Sequence, residues 1–463
     1  MKTLIYNAEI VNEGRRFHGG LLIDGDRIAE VFEGDAPASH AALCPQNCIN
    51  AGNALLLPGI IDTHVHFREP GLTHKADIAH ESRAALAGGV TSTMDMPNVN
   101  PPTTTLERWQ ERMALGAQQS RVNYAYYLGA TNGSGEREEE REARIPLKLF
   151  MGSSTGNMLV DNPDTLRRLF HMSACHANSN TAHAAAPFPI VAHCEDTPRI
   201  SERMAEAKAR WGEDPDVEHH PWIRDAEACF RSSSLAAELA RETGARLHIA
   251  HISTERELSL LSEEASPGSR LPHITGEVCI AHLLFCDEDY KRLGTRIKCN
   301  PAVKSRQDRD ALRHALADGR LLTVATDHAP HLLSEKQGGC VRAASGMPIV
   351  QFSLVSMLGL VDEGVLPIER VVDAMCHQPA RLFGIKGRGY LRPGYKADLV
   401  LVKPEEWTLR REDILSKCGW SPLEGCALHW RVQQTFVNGR LAYDHGHIND
   451  NLRGEALAFE YCF

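Results

Sequence analysis

Two hydrophobic rhythms divide this chain. Near the start, apolar residues fall at every second place in TLIYNAEIV, in LLIDGDRIAEVF with its turn at Asp24-Gly25-Asp26, and then in the NALLLPG run. Alternation of period two closed by turn residues predicts β hairpins. The same signature returns in Lys396–Val402 and in Arg431–Val437, just before Asn438-Gly439. The two ends are expected to form one small β domain, residues 1–57 plus 391–463, split by everything between them.

From 58 to 390 the rhythm changes. Eight short apolar segments follow one another: LPGIIDTHVH, VTSTMDMPN, VNYAYYLGAT, PLKLFMG, FPIVAHCED, RLHIAHIST, HITGEVCIAHL and LLTVATDHAPH. Helical patterns lie between several of them, at Thr105–Gln119, Asp161–Ala174, Ala226–Thr243 and Asp308–Ala317. Such alternation predicts an α/β fold, a (β/α)8 TIM-like barrel, whose functional site forms at the C-terminal ends of its strands. The polar patch HMSACHANSNTAH before the fifth strand reads as a helix end and loop.

Composition narrows the class. At 463 residues and 43% hydrophobic, the chain has room for a barrel and a smaller module. A net charge of -10 argues against a nucleic-acid or anionic-membrane partner. No apolar run approaches the roughly 18 residues that cross a bilayer, and MKTLIYNAEIVNEG turns polar too early for a signal peptide. The 13 cysteines show no CxxC pair, CPQNC (Cys44, Cys48) being the nearest spacing. Reduced thiols in a cytoplasmic protein are expected.

The chemistry gathers at the strand ends. His64 and His66 end the first strand at i and i+2, on one face. Lys148 lies in the fourth, His193 ends the fifth, His251 the sixth and Asp327 the eighth. Imidazoles and a carboxylate at one mouth form a donor set for zinc or a similar divalent ion. Lys148 reads two ways: as a lysine paired with an acid, or as a neutral amine that captures carbon dioxide and bridges two metals as a carbamate. Asp161 keeps an aspartate bridge open as a third reading. Arg68, two residues past His66, is either paired with Glu69 or Glu81 or aimed at an anionic ligand. Cys194, beside His193, should face away from the barrel interior.

The stretches GIIDTHVHFREPG, GGVTSTMDMPN, KLFMGSS, AHCED, IAHIST, IKCNPAVKSRQDRDAL and ATDHAPH, in that order over residues 50–405, resemble the amidohydrolase superfamily in its cyclic-amidohydrolase branch. That resemblance implies a metal-dependent hydrolase of a cyclic amide. The implied metal ligands are His64, His66, Lys148, His193, His251 and Asp327. They would hold two ions, expected to be Zn2+, bridged by carboxylated Lys148 and a hydroxide. Asp327 would be the catalytic base, and Arg68, Asn98, Asn300 and His331 would bind the substrate. Relatives that open uncharged rings usually lack the arginine, so "FREPG" favours dihydroorotate, whose carboxylate needs an anchor, over allantoin or hydantoins. Asn300-Pro301-Ala302-Val303-Lys304 departs from the usual NPPLR. His282 is read as structural, and His171, His176 and His183 as surface residues. A homo-oligomer is expected, and the resemblance admits an association with aspartate transcarbamoylase.

Overall fold

The computed structural model describes residues 2–36, 48–134, 145–152, 158–175, 188–262 and 271–460. Cys44, Ser153, Ser154, His176 and His183 lie outside the described residues.

Each of the eight apolar segments contains a strand. We label them β1 (Ile60–Val65), β2 (Val90–Asp95), β3 (Asn123–Tyr126, resumed at Leu128–Gly129), β4 (Leu147–Phe150), β5 (Ile190–His193), β6 (Leu247–Ile249), β7 (Ile274–Cys279) and β8 (Thr323–Ala325). Neighbours pair in parallel around the whole series. The ladder breaks inside β3 at Tyr127, whose hydroxyl donates to Thr63 O at 3.0 Å. Closure comes where Val65 bridges His328 in parallel and His66 N donates to His328 O at 2.8 Å. The fold is a (β/α)8 barrel.

Around it lie helices, among them α1 (Ile78–Ala87), α2 (Leu106–Gln119), α3 (Pro163–Cys175), α4 (Thr197–Trp211), α5 (Ala226–Thr243), α6 (Arg306–Ala317) and α7 (Ser353–Asp362). Five start on residues whose side-chain oxygen accepts a backbone N–H of the first turn: Asp77 from His80, Thr105 from Arg108, Asp196 from Arg199, Asp225 from Ala228 and Ser305 from Asp308. Cys194 is buried with Ser232 and Ser233 of α5 beside it, in the layer outside the strands. His171 is exposed on α3.

Both chain ends meet in a second, nine-stranded sheet. Leu55–Pro58 runs parallel to Lys2–Asn12 and antiparallel to Leu399–Thr408, with Leu399 opposite Pro58 and Leu401 opposite Leu56. Alternation sends Leu56, Leu399 and Leu401 into one core with Ile5, Ile10 and Phe436. Leu55, Leu57, Val400 and Val402 enter the core shared with the barrel. Burial on both faces explains why Leu55-Leu56-Leu57 is an unbroken apolar run. The last described residues leave this sheet: Ala456 bridges Tyr124 of β3, and Phe459 bridges Ile385.

Gly59 is the joint between the two sheets. Its N–H donates to Asp398 O at 2.8 Å, and a methyl group there would come within 2.2 Å of Thr91 Oγ1 and 2.4 Å of its Cγ2. Thr91 is buried and β-branched, so it yields little. Gly59→Ala should therefore destabilise the fold by about 1–3 kcal/mol. In denaturant unfolding, Thr91→Ala in that background should restore part of the loss; strictly additive effects of the two changes would refute the clash.

Candidate active site

The described strand ends meet at one mouth of the barrel. His64, His66, Arg68, Asn98, His193, His251, Asn300 and Asp327 all line a single open pocket of about 370 Å³, solvent at its entrance included. Lys148 and His331 are buried and are not among its lining residues. Asp161, by contrast, is exposed and takes a hydrogen bond from Asn132 at 3.2 Å.

Barrel closure brings His64 and His66 to Asp327, more than 260 positions away. Asp327 Oδ1 lies 3.0 Å from His66 Nε2 and 3.5 Å from His64 Nε2. The three donor atoms lie within 4.8 Å of one another, close enough to share one ion. Across the mouth, His193 Nδ1 is 2.9 Å from His251 Nε2. Lys148 Nζ and His251 Nδ1 are buried without a hydrogen-bond partner. Three of these residues hold the left-handed backbone that side chains disfavour: Arg68 at φ +68°, His251 at φ +38° and Asp327 at φ +49°. Strain of this kind persists only where surrounding structure enforces it.

Burial sets the protonation states. It pulls His66 down to about 4 and lowers His193 and His251 as well. All three imidazoles are then neutral near pH 7, the form that binds metal. Lys148 is fully buried beside the Phe150 ring, and desolvation lowers its pKa. Burial pushes Asp327 up, but His64 and His66 outweigh it and hold the carboxylate below its usual range.

Arg68 pairs with neither Glu69 nor Glu81. Glu69 accepts from Ile78 N and Gln119 Nε2, while Glu81 accepts from His328 and Lys417 N. Arg68 itself is 1% exposed and its near neighbours are neutral: it donates to Pro330 O at 3.1 Å and lies 3.1 Å from His331 Nε2. Among the described residues it makes no ion pair. A buried guanidinium at the pocket wall is thus left without an ion pair, and Asp327, Asp95 and Glu335 offset its charge only from a distance.

Against this geometry, the model of the family described as "Amidohydrolase family" matches residues 55–442. This chain belongs to the amidohydrolase family. A dihydroorotase of Halobacterium salinarum is 36% identical over 432 residues, covering 92% of this chain and 93% of that one. An allantoinase of Rubrobacter xylanophilus is 34% identical over 412 residues, 86% of each chain. Among solved structures, the L-hydantoinase from Arthrobacter aurescens superposes with a TM-score of 0.86 at 26% identity, covering 96% of this chain and 97% of that one.

Buried groups that the sequence did not single out complete this family site. Glu277 on β7 accepts from His64 Nδ1 at 2.7 Å and from His251 N at 3.3 Å. Burial would raise its pKa, but the His64 contact brings it to about 2, so it is an anion. It holds the His64 proton on Nδ1 and turns the Nε2 lone pair toward Asp327. Asn98 Oδ1 does the same for His66 Nδ1 at 2.7 Å. His220 Nε2 donates to Cys299 O at 3.0 Å and to Asn300 Oδ1 at 3.2 Å, which leaves the Asn300 amide N–H groups to the pocket. Nothing in the spacing of Glu277 or His220 announces these partners.

Behind His193 sits Glu195, fully buried and gripped by Arg224 through contacts of 2.5 and 3.0 Å. Burial opposes its ionisation, yet Arg224 and His193 hold its pKa well below the usual carboxylate range. A carboxylate with a depressed native pKa stabilises the fold above its ordinary pKa and loses that contribution on acidification. Arg224→Met strands the charge and should cost about 3–5 kcal/mol at pH 7. The gap from the parent protein should narrow at pH 4, where Glu195 in the variant protonates; unfolding curves showing the same gap at both values would refute the pairing.

Proposed function

We propose that this protein is a dihydroorotase: it opens the ring of (S)-dihydroorotate to N-carbamoyl-L-aspartate and, in the biosynthetic direction of de novo pyrimidine synthesis, closes it. One observation carries the choice of substrate, namely Arg68, buried at the pocket wall without an ion pair among the described residues. The dihydroorotase relatives that span most of the chain support the same reading. The allantoinase similarity keeps a neutral-ring hydrolase as the second reading, and an uncharged ring gives a buried guanidinium nothing to neutralise.

The residues present fit divalent metal. The pocket offers neutral imidazoles, an ionised carboxylate and an unpartnered buried amine, Lys148 Nζ. His64, His66, His193, His251, Asp327 and Lys148, the last as its carbamate, would hold two ions, with zinc matching the donor types. Bound there, such ions supply Lewis acidity and bring the pKa of a water near neutrality. Asp327, ionised and facing the same space, takes the proton of the attacking water and returns it to the leaving ring nitrogen. Arg68 anchors the substrate carboxylate with His331 set against its fork, and Asn98 and Asn300 hold the ring edge, so that the amide carbon meets its nucleophile in one orientation. The ten described cysteines are all free, which supports a reducing, cytoplasmic setting. A homo-oligomer and an association with aspartate transcarbamoylase remain part of this reading, and sizing and co-purification test them.

Elemental analysis of active protein should find about two divalent ions per chain, and chelation should abolish activity. Active, metal-free protein would overturn the metal assignment. Lys148→Ala should be inactive and partly rescued by short carboxylic acids that stand in for the carbamate oxygens; near-normal activity would place the bridge elsewhere.

Arg68→Met should keep its metal and its fold but lose a factor of about 100 in kcat/KM for dihydroorotate, roughly 3 kcal/mol. Lysine should recover only part, keeping the charge without the fork. A side-by-side assay with dihydroorotate, allantoin and dihydrouracil tests the choice, and a preference for either neutral ring would transfer the assignment to that activity.

A further inference from the structure

The anchor has a second layer. Behind Arg68 the side chains run in series from the pocket outward: Arg68, His331, Lys75, Glu335. His331 Nε2 lies 3.1 Å from both Arg68 Nη2 and Ser345 O, and its Nδ1 lies 3.2 Å from Lys75 Nζ. Lys75 is buried and also contacts Glu335 Oε1 at 3.2 Å.

Donor and acceptor rules decide what this series does. A guanidinium and an ammonium only donate, and a backbone carbonyl only accepts. Lys75 Nζ donates a hydrogen bond to His331 Nδ1, so the proton of the neutral ring resides on Nε2. From there it is donated to Ser345 O, and Nε2 has no lone pair left for Arg68. The opposite tautomer would accept from Arg68 Nη2 and tie down one arm of the fork. Arg68 already spends Nε on Pro330 O, so its two Nη groups are what remain for a ligand.

We propose that Lys75 is a positioning residue of the carboxylate subsite: by donating to His331 Nδ1 it fixes the Nε2 proton and leaves both Arg68 Nη groups free for the substrate carboxylate. Nη2 and the protonated Nε2, two donors 3.1 Å apart, cannot satisfy each other, so Nη1 and Nη2 stay open to the two side-by-side oxygens of a carboxylate. Burial and the neighbouring Arg68 and Lys75 charges lower the His331 pKa, so the ring stays neutral and its tautomer is the variable that matters. The nearby Glu335 draws Lys75 outward and tempers its charge.

This inference rests on the dihydroorotase reading, and one set of assays separates the two. Lys75→Met, which removes the donor, should raise KM for dihydroorotate on the order of ten- to a hundredfold with a smaller change in kcat. Hydrolysis of uncharged dihydrouracil, however slow, should be altered less than twofold. Lys75→Gln, whose amide can still donate to Nδ1, should recover part of the affinity and guards against a methionine variant that fails to fold. Glu335→Gln frees Lys75 from its acid and should leave KM for dihydroorotate the same or lower. Were Lys75 merely half of a structural ion pair, Lys75→Met and Glu335→Gln would lose activity alike and on both substrates, and that result overturns the inference. Active parent protein with KM unchanged in Lys75→Met also overturns it while leaving the function standing. Parent protein inert toward dihydroorotate defeats both.

Discussion

The seam between β1 and β8 is the constraint on which the site depends. A sheet of eight short strands has no free edge only when its first and last members pair. Here that pairing is the Val65–His328 bridge and the His66 N–H to His328 O bond at 2.8 Å. It sets His64 and His66 beside Asp327, residues that no local structure could bring together. His328 reinforces the seam from behind, bonded to Glu81 of α1 at 2.8 Å and accepting Ile349 N at 3.0 Å. A chain open at this point would keep its helices and strands and lose the three donors that face one another.

Closure has an electrostatic consequence. Polar groups at the mouth are taken out of water, and each must find a partner or change its protonation state. Glu277, Asn98 and His220 take up the far side of His64, His66 and Asn300. Lys148 Nζ and Arg68 do not follow this rule: the amine has no hydrogen-bond partner and the guanidinium no acid. His251 Nδ1 is also without a hydrogen-bond partner among the described residues, so the wall is left unsaturated around Lys148. On the dihydroorotase reading, the amine is the group that would take up carbon dioxide and the guanidinium the one that would receive a carboxylate.

A joint at Gly59 couples this mouth to the rest of the molecule. Residues 55–58 close the nine-stranded sheet and residues 60–65 begin the barrel, with no linker between. A rigid sheet thereby anchors the strand that carries both histidines. Displacement of that sheet would move His64 and His66 relative to Asp327, so the second sheet contributes to the site although none of its residues lines the pocket.

The sequence by itself determined the elements and their order. Period-two alternation marked both halves of the split sheet, eight apolar segments marked eight strands, and HxH, His193, His251 and Asp327 sat at the ends of those segments, with Lys148 inside the fourth. The family motifs were legible for the same reason, being local. Tertiary structure alone decided the partners. Glu277 lies in GEVC, which reads as plain strand, and its bond to His64 spans 213 positions; Lys75 and His331 meet across 256. Whether Arg68 neutralised Glu69 or Glu81 could not be read from adjacency, because a guanidinium reaches several directions and only the packed wall shows both acids engaged elsewhere. Composition and spacing fix which groups a chain carries, whereas desolvation and pairing, which set charge and tautomer, exist only once distant strands have closed into a barrel.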